Sequence, residues 1–129
     1  MSLFKHKVAV VTGGTRGIGR AISLKLANDG AKVFALYGRD RAAADALMDE
    51  AGKQGIDIQC LRGDLTRPEK FQEILTEIDK AAPEIDFVVH CAASGVHREA
   101  LDLSQKHLQW TFDINVFAIH NLIQSLKPK

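Results

Sequence analysis

Residues 8–20 constrain the fold of this chain more than any other stretch. Residues 8–11 read Val-Ala-Val-Val, and this apolar, mostly β-branched run predicts a fully buried strand. Glycines at positions 13, 17 and 19 then lead into a segment with helical apolar periodicity. We expect Gly13 to permit a tight turn, Gly17 to let a ligand approach the backbone, and Gly19 to bring the helix close to the sheet. Because a helix start offers free N–H groups and about half a positive charge, this turn predicts a phosphate-binding site.

The glycine spacing narrows the kind of phosphate site. It is G-x3-G-x-G, which differs from the G-x-G-x-x-G of most dinucleotide-binding folds. No Gly-Lys-Ser/Thr follows, so the spacing excludes a nucleoside triphosphate loop. A purely structural strand–helix turn uses the same residues, and this alternative stays open. The strand before the glycines and the helix after them favour phosphate binding.

The glycine segment resembles a known cofactor loop. Residues 12–19, Thr-Gly-Gly-Thr-Arg-Gly-Ile-Gly, are similar to the T-G-x-x-x-G-x-G loop of the classical short-chain dehydrogenase/reductases. The resemblance implies a Rossmann-like fold and a nicotinamide dinucleotide cofactor. It covers the whole chain but only about the first half of a family member. The cofactor contacts expected from the motif and the resemblance are Gly13, Thr15, Arg16, Gly17, Ile18, Gly19, Arg39, Asp64, Leu65, Ala92 and Ala93.

Composition excludes several classes of protein. The 129 residues are 46% hydrophobic, which predicts one soluble globular domain over 1–129. With 17 basic and 16 acidic residues, nothing indicates a nucleic-acid or membrane-surface binder. No apolar run is long enough to span a membrane, and no secretory signal is apparent. Cys60 and Cys91 predict free thiols in a reducing cytoplasm, and the five histidines lack the spacing of a metal site.

The order of elements predicts an α/β fold. We expect strands at 8–11, 32–36, 56–61 and 86–90, and helices at 17–29, 41–54, 68–82 and 104–126. Short connections and right-handed crossovers predict a doubly wound parallel sheet with strand order 3-2-1-4 and helices on both faces. Ligands then bind at the carboxyl ends of strands one and four.

Local patterns predict how the helices start, end and pack. Ile18, Ile22 and Leu26 of the first helix are expected to face the sheet. Asp40 predicts an N-cap for the second helix. Residues 66–69 predict a capping box for the third helix, which Pro83 is expected to end. The apolar stripe expected to bury this third helix consists of Phe71, Ile74, Leu75 and Ile78.

Two arginines predict the cofactor preference. Residues 36–38, at the end of strand two, carry no carboxylate to hold the ribose hydroxyls. Arg39 follows them, and Arg16 lies in the glycine loop on the same side. Paired guanidinium groups would bind a 2′-phosphate, so we expect NADPH to be preferred over NADH. The alternative is that both arginines are solvated surface charges. Asp40 is the argument against this preference, because a carboxylate could bind the ribose hydroxyls. We expect it to face the amides of its own helix instead.

Two further segments are similar to the family's pattern, and one of them differs from it at several positions. Asp64 is either a turn aspartate or, as the resemblance implies, a contact to the adenine amino group. Residues 90–95 read His-Cys-Ala-Ala-Ser-Gly where the family has Asn-Asn-Ala-Gly, so histidine and cysteine replace two asparagines. Small residues at 92 and 93 still leave room for a ribose. We interpret His90 as a structural histidine at a strand end.

The apolar pattern of the final helix predicts that two of its faces are buried. One stripe contains Leu108, Phe112, Asn115, Ile119, Leu122 and Leu126, and a second contains Trp110, Ile114 and Phe117. One face should pack on the sheet and the other against more protein, which is either a partner subunit of a homo-oligomer (a tetramer or dimer) or chain missing from this sequence. Asn115 interrupts the first stripe. It is either a structural amide or, by resemblance, the catalytic asparagine of the family, which holds a water in a proton relay.

The acid–base residues of the family are missing. The resemblance implies a serine and a Tyr-x-x-x-Lys motif, but the only tyrosine, Tyr37, is followed four residues later by Arg41. We therefore expect the native molecule to continue past Lys129. Residues 92–96, Ala-Ala-Ser-Gly-Val, resemble the NADPH-dependent enoyl-acyl-carrier-protein reductases of the third type. The alternatives are a 3-oxoacyl or other carbonyl reductase, acting on a small molecule or acyl thioester, and a non-catalytic NADPH-binding module.

Overall fold

A four-stranded parallel sheet forms the centre of the molecule. The structure, a computed structural model, describes residues 2–82 and 84–126. The strands are β1 Val8–Thr12, β2 Lys32–Tyr37, β3 Ile58–Arg62 and β4 Phe87–His90. They pair in parallel in the order β3-β2-β1-β4, which confirms the predicted fold class and strand order. The carboxyl ends of β1 and β4 are neighbours, with Thr12 paired to His90.

Helices connect the strands and cover both faces of the sheet. They are α1 Gly17–Asn28, α2 Arg41–Gln54, α3 Pro68–Ala81, α4 Gln105–Phe112 and α5 Ala118–Ser125, with a 3-10 turn at Ala100–Asp102 and a π-helical turn at Asp113–Phe117. Asp40 caps α2, as predicted, by accepting the Ala43 amide at 2.9 Å. Ser104 caps α4 in the same way, by accepting the His107 amide.

The core forms two layers because strand side chains alternate between faces. On one face, β1 and β2 pack against α3 and α5 through Val10, Phe34, Leu36, Phe71, Ile74, Ile78 and Leu122. On the other, the same strands pack against α1 and α2 through Ala9, Val11, Val33, Ala35, Ala27, Leu47 and Ala51. The predicted α3 stripe is therefore confirmed, with Leu75 half-buried at its edge.

The predicted packing of α1 is wrong for Ile18, the first residue of its expected apolar stripe. Ile18 is 77% exposed, whereas Ile22 and Leu26 are half-buried against the core. The fully buried residues of α1 are Gly19, Ser23 and Ala27. These small residues let the helix lie close to the sheet, and Ile18 lies outside this buried side.

The predicted capping box at 66–69 is also wrong. The N-cap of α3 is Arg67, and its side chain makes no capping hydrogen bond. The Thr66 hydroxyl donates to Asp64 Oδ1 at 2.6 Å, which directs this side chain toward the turn at the end of β3. Pro68 occupies the first turn as predicted, because its missing N–H costs nothing there. Pro83 lies outside the described residues.

The final helix is not the single regular helix that the sequence predicts. The π-helical turn carries an i→i+5 pattern, which adds a residue and rotates α4 relative to α5. As a result, Leu108 and Phe112 of the predicted first stripe are 47% and 52% exposed. Ile114, which the pattern places on the second face, packs on the core instead.

Candidate cofactor-binding site

The glycine loop forms an open turn at the end of β1. Gly13 has a φ of +61° and Gly17 a φ of +54°, conformations that favour glycine. A Cβ at Gly17 would meet no atom within 4 Å, so the backbone there faces open space at the N-terminus of α1. A phosphate fits such a place because it can accept hydrogen bonds from the free amides of the first helical turn.

The other glycines hold the loop against its neighbours. A Cβ at Gly13 would lie 2.8 Å from the Ala92 amide nitrogen, so the loop packs directly on the segment after β4. A Cβ at Gly19 would overlap the Gly13 carbonyl, so this glycine permits packing within the loop as well as on the sheet. Gly14, which the motif leaves unspecified, is equally constrained, since a Cβ there would lie 2.9 Å from Ser23 Oγ.

A cavity of about 1250 Å³ runs along the carboxyl ends of the strands. The predicted cofactor residues in its lining are Gly13, Thr15, Arg16, Gly17, Arg39, Asp64, Leu65, Ala92 and Ala93. Ile18, Gly19 and Asn115 are not among the described residues that line it. Trp110 and Ile114, from the final helical segment, close the end of the cavity beyond β4.

Arginines lie along the rim of the cavity near β2. Arg16 Nη1 is 3.5 Å from Asp40 Oδ2, which links the glycine loop to the start of α2. Asp40 thus faces its own helix, as predicted, but it also pairs with Arg16. Arg62, which no sequence motif indicates, donates from Nε to the Gly38 carbonyl at 3.1 Å. Its position opposite Tyr37 in the β2–β3 register brings it to the same rim.

Asp64 lies at the end of β3, in a tight turn. It accepts hydrogen bonds from the Thr66 amide at 2.9 Å and from the Thr66 hydroxyl. Burial raises the pKa of Asp64, but these bonds and the charges of Arg67 and Arg39 outweigh burial and hold the pKa below its ordinary value of 3.8. Asp64 is therefore an ionised turn aspartate that lines the cavity.

The Thr12 hydroxyl joins the ends of β1 and β4. Its oxygen accepts the amides of Cys91 and Ala92, both at 3.1 Å, and lies 2.7 Å from His90 Nδ1. This explains how the strand end stays ordered although His90 and Cys91 replace the family's two asparagines. Sequence reasoning missed the contact because the partners lie about eighty positions apart.

Asn115 lies in the π-helical turn and forms hydrogen bonds with the segment after β4. Its Nδ2 donates to the carbonyls of Ser94 at 2.6 Å and Thr111 at 2.8 Å. The Ser94 amide donates back to Asn115 Oδ1 at 3.4 Å. Both amide protons are thus engaged with backbone groups, and the catalytic role of Asn115 stays a prediction.

Residues 2–82 and 84–126 hold neither a membrane-spanning helix nor a cluster of metal-ligating side chains. Within them, no helix is both long and apolar enough to cross a bilayer. In the same ranges, no group of three or more His, Cys, Asp or Glu side chains could hold a metal ion.

Curated relatives match nearly the whole chain. A 3-oxoacyl-[acyl-carrier-protein] reductase of Staphylococcus epidermidis is 29% identical over 126 residues, which cover 96% of this chain and 51% of that protein. The enzyme of the same name from Staphylococcus aureus is 30% identical over 95% of this chain and 50% of its own length. The chain therefore spans about half the length of the curated relatives it matches.

A solved structure and a family model agree with these relatives. A short-chain dehydrogenase/reductase double mutant of Serratia marcescens superposes with a TM-score of 0.89 at 25% identity, covering 95% of this chain and 50% of that one. The family model described as short chain dehydrogenase matches residues 7–129. The chain belongs to the short-chain dehydrogenase/reductase family.

Proposed function

We propose that residues 1–129 are the N-terminal cofactor-binding part of a single short-chain dehydrogenase/reductase domain that uses NADP(H). The family binds a nicotinamide cofactor, NAD or NADP. The observation that carries the proposal is the shared rim of Arg16 and Arg39 beside a glycine loop that is open at Gly17. A cavity of about 1250 Å³ is larger than the usual site for a drug-sized molecule, so it has room for a dinucleotide.

Each part of the cofactor has a matching group in the cavity. The amides at the start of α1 suit the pyrophosphate, whose charge the helix dipole also favours. Arg16 and Arg39 suit a 2′-phosphate because guanidinium groups form charge-assisted hydrogen bonds with it. Asp64 suits the adenine amino group, since an ionised carboxylate accepts hydrogen bonds. The small side chains of Ala92 and Ala93 leave room for the nicotinamide ribose.

The residues of this chain would bind and orient the reacting groups. The cofactor, when bound, supplies the hydride. Asn115 holds the segment at Ser94 in place through its side-chain amide. The family resemblance implies that Asn115 also holds a water in a proton relay. The 129 residues contain no Tyr-x-x-x-Lys acid–base pair, so this part alone is expected to bind cofactor without turnover.

For the whole protein, we propose reduction of the ketone of a 3-oxoacyl thioester. The names of the staphylococcal relatives support this carbonyl chemistry. The enoyl thioester suggested by residues 92–96 rests on a five-residue loop, which is a weaker basis than similarity over 126 residues. We retain the cytoplasm as the expected compartment.

The test is a spectrophotometric assay of the complete polypeptide. NADPH oxidation is followed with acetoacetyl thioester and, in parallel, with crotonyl thioester. Faster oxidation with the acetoacetyl compound supports 3-oxoacyl reduction, and faster oxidation with the crotonyl compound overturns it in favour of the enoyl reaction. Tight NADPH binding without oxidation of either would instead identify a non-catalytic binding module.

A second proposal concerns assembly. The α4–α5 segment leaves Phe112, Phe117 and Ile123 exposed by 52%, 47% and 55%. Exposed apolar surface of this kind is usual at protein–protein interfaces. We propose that a second copy covers it, giving a homodimer or tetramer. Sedimentation of the complete polypeptide tests this, and a monomer at micromolar concentration would contradict it.

A further inference from the structure

The hydrogen-bonding capacity of the Thr12 hydroxyl is fully used. A hydroxyl oxygen has two lone pairs and one proton. Both lone pairs of Thr12 Oγ1 accept backbone amides, those of Cys91 and Ala92. The remaining proton points to the other close polar atom, His90 Nδ1, at 2.7 Å. Nδ1 therefore accepts a hydrogen bond and carries no proton.

This arrangement fixes the tautomer of His90. A neutral imidazole without a proton on Nδ1 carries it on Nε2. Among the described residues, Nε2 of His90 is a buried side-chain atom with no hydrogen-bond partner. The backbone of Ile114 and Asn115 in the π-helical turn lies close enough to influence the ring, although not within hydrogen-bond geometry.

We infer that His90 is a positioning residue: its neutral Nε2–H form holds the Thr12 hydroxyl in the orientation that anchors the Ala92 amide beside Gly13. The inference rests on the proposed function, because Ala92 and Gly13 line the candidate cofactor cavity. Ala92 depends on Thr12 Oγ1 in this way, whereas the Cys91 amide is shared with the Thr12 carbonyl at 3.1 Å.

Protonation of His90 conflicts with this network. A proton on Nδ1 would aim a third donor at Thr12 Oγ1, which has two lone pairs, so the three donors compete and the hydrogen bond from the Ala92 amide weakens. Burial lowers the pKa of His90 below its ordinary value of 6.5, and the backbone of Asn115 and Ile114 opposes this shift in part. The groups facing the ring are the Thr12 hydroxyl from β1 and those backbone groups from the π-helical turn. Cys91 is the adjacent titratable residue, and no charged side chain contributes to the shift.

The first experiment observes the tautomer directly. Nitrogen-15 NMR of the complete polypeptide with labelled histidine distinguishes a protonated Nδ1 from a protonated Nε2, and the His90→Asn variant assigns the signal. We expect the Nε2–H form at neutral pH and a pKa below the ordinary histidine value of 6.5. An Nδ1–H tautomer would overturn the inference, whether or not the protein binds NADPH.

The second experiment separates positioning from simple structural support. NADP⁺ affinity is measured at about pH 7.5 and at a lower pH where the NMR titration shows His90 to be protonated, for the wild type, His90→Asn and the control His6→Asn. Asparagine can accept the Thr12 proton through its side-chain oxygen but does not titrate. The 2′-phosphate gains a proton in this range, so the variants are compared with each other at each pH.

The expected result is a difference in pH dependence. Wild type and His6→Asn should lose at least about threefold more affinity at the lower pH than His90→Asn, the effect of one weakened hydrogen bond. Equal losses in all three proteins would overturn the inference and leave the proposed function intact. Failure of all three to bind at either pH would overturn the proposed function, while the tautomer result would still stand by itself.

Discussion

Arg16 and Asp40 form an ion pair, with Nη1 3.5 Å from Oδ2, in the lining of the cavity where we propose that a 2′-phosphate binds. Asp40 also accepts the Ala43 amide through Oδ1, so one carboxylate caps α2 and holds the arginine. Both side chains are substantially exposed, and exposed ion pairs contribute little to stability. If Arg16 binds a 2′-phosphate, as we propose, that phosphate competes with Asp40 for the guanidinium group.

Asp40→Asn should strengthen NADPH binding. Asparagine is an equally good N-cap, so α2 keeps its start while Arg16 loses its competing partner. We expect the Kd for NADPH to fall about two- to fivefold, the effect of an exposed ion pair, with NADH little changed. Isothermal titration checks this. Asp45→Asn is the matched control, since it removes the same charge from α2 but breaks a pair with Arg41 instead.

Gly19→Ala should disrupt the glycine loop. Its Cβ would overlap the Gly13 carbonyl, so the loop must shift and lose both stability and cofactor affinity. Gly52→Ala on α2 is the control, because a Cβ there meets nothing within 4 Å. We expect this control to gain about 0.5–1 kcal/mol from better helix propensity. Urea unfolding of both variants checks the prediction, and equal stability of the two would contradict it.

Neighbouring residues of α5 should differ sharply in their effect on stability. Leu122 is fully buried, whereas Ile123 is 55% exposed. Leu122→Ala is expected to lower the free energy of unfolding by about 2–5 kcal/mol through a cavity. Ile123→Ala should cost less than about 1 kcal/mol in the monomer. Urea unfolding at low protein concentration compares them, and a larger loss for Ile123→Ala would show that the packing of α5 is wrong.

Asp64 should contribute to acid unfolding. Its pKa in the folded protein lies below the ordinary value of 3.8, so the unfolded chain binds a proton first as the pH falls. The stabilisation is therefore present above about pH 4 and is lost as the pH falls through the folded-state pKa. Asp64→Asn should be less stable than the wild type at neutral pH and approach it in acid. Thermal unfolding across this range measures both, and a constant difference would contradict the assignment.

The fold could be predicted because its determinants are local. Local patterns each specify one element, as the Val-Ala-Val-Val run, the glycine spacing and the α3 stripe do. Short connections with right-handed crossovers then predict the strand order. Asp40 and Ser104 were also predictable as caps, since an N-cap needs only a polar side chain at the right place. The candidate cofactor residues followed from the motif and the family resemblance, and most of them line the same cavity. Their contact with the cofactor stays a prediction.

The remaining features depend on contacts that a sequence pattern does not contain. The π-helical turn inserts one residue into an apolar spacing that still reads as helical, so the spacing does not predict the exposure of Phe112. The apolar spacing of α1 also does not show that its buried residues are the small Gly19, Ser23 and Ala27, with Ile18 exposed. The network of Thr12 and His90 joins distant positions, and nothing local to either residue indicates it.

The central claim is that Arg16 and Arg39 make this a site for a phosphorylated adenosine ribose. The most direct measurement is calorimetric titration of the complete polypeptide with NADPH and with NADH, in the wild type and in Arg16→Gln/Arg39→Gln. The account predicts that the wild type binds NADPH at least about tenfold more tightly, as charge-assisted hydrogen bonds allow, and that the double variant loses this preference. Tighter binding of NADH by the wild type, or an unchanged preference in the double variant, would contradict it.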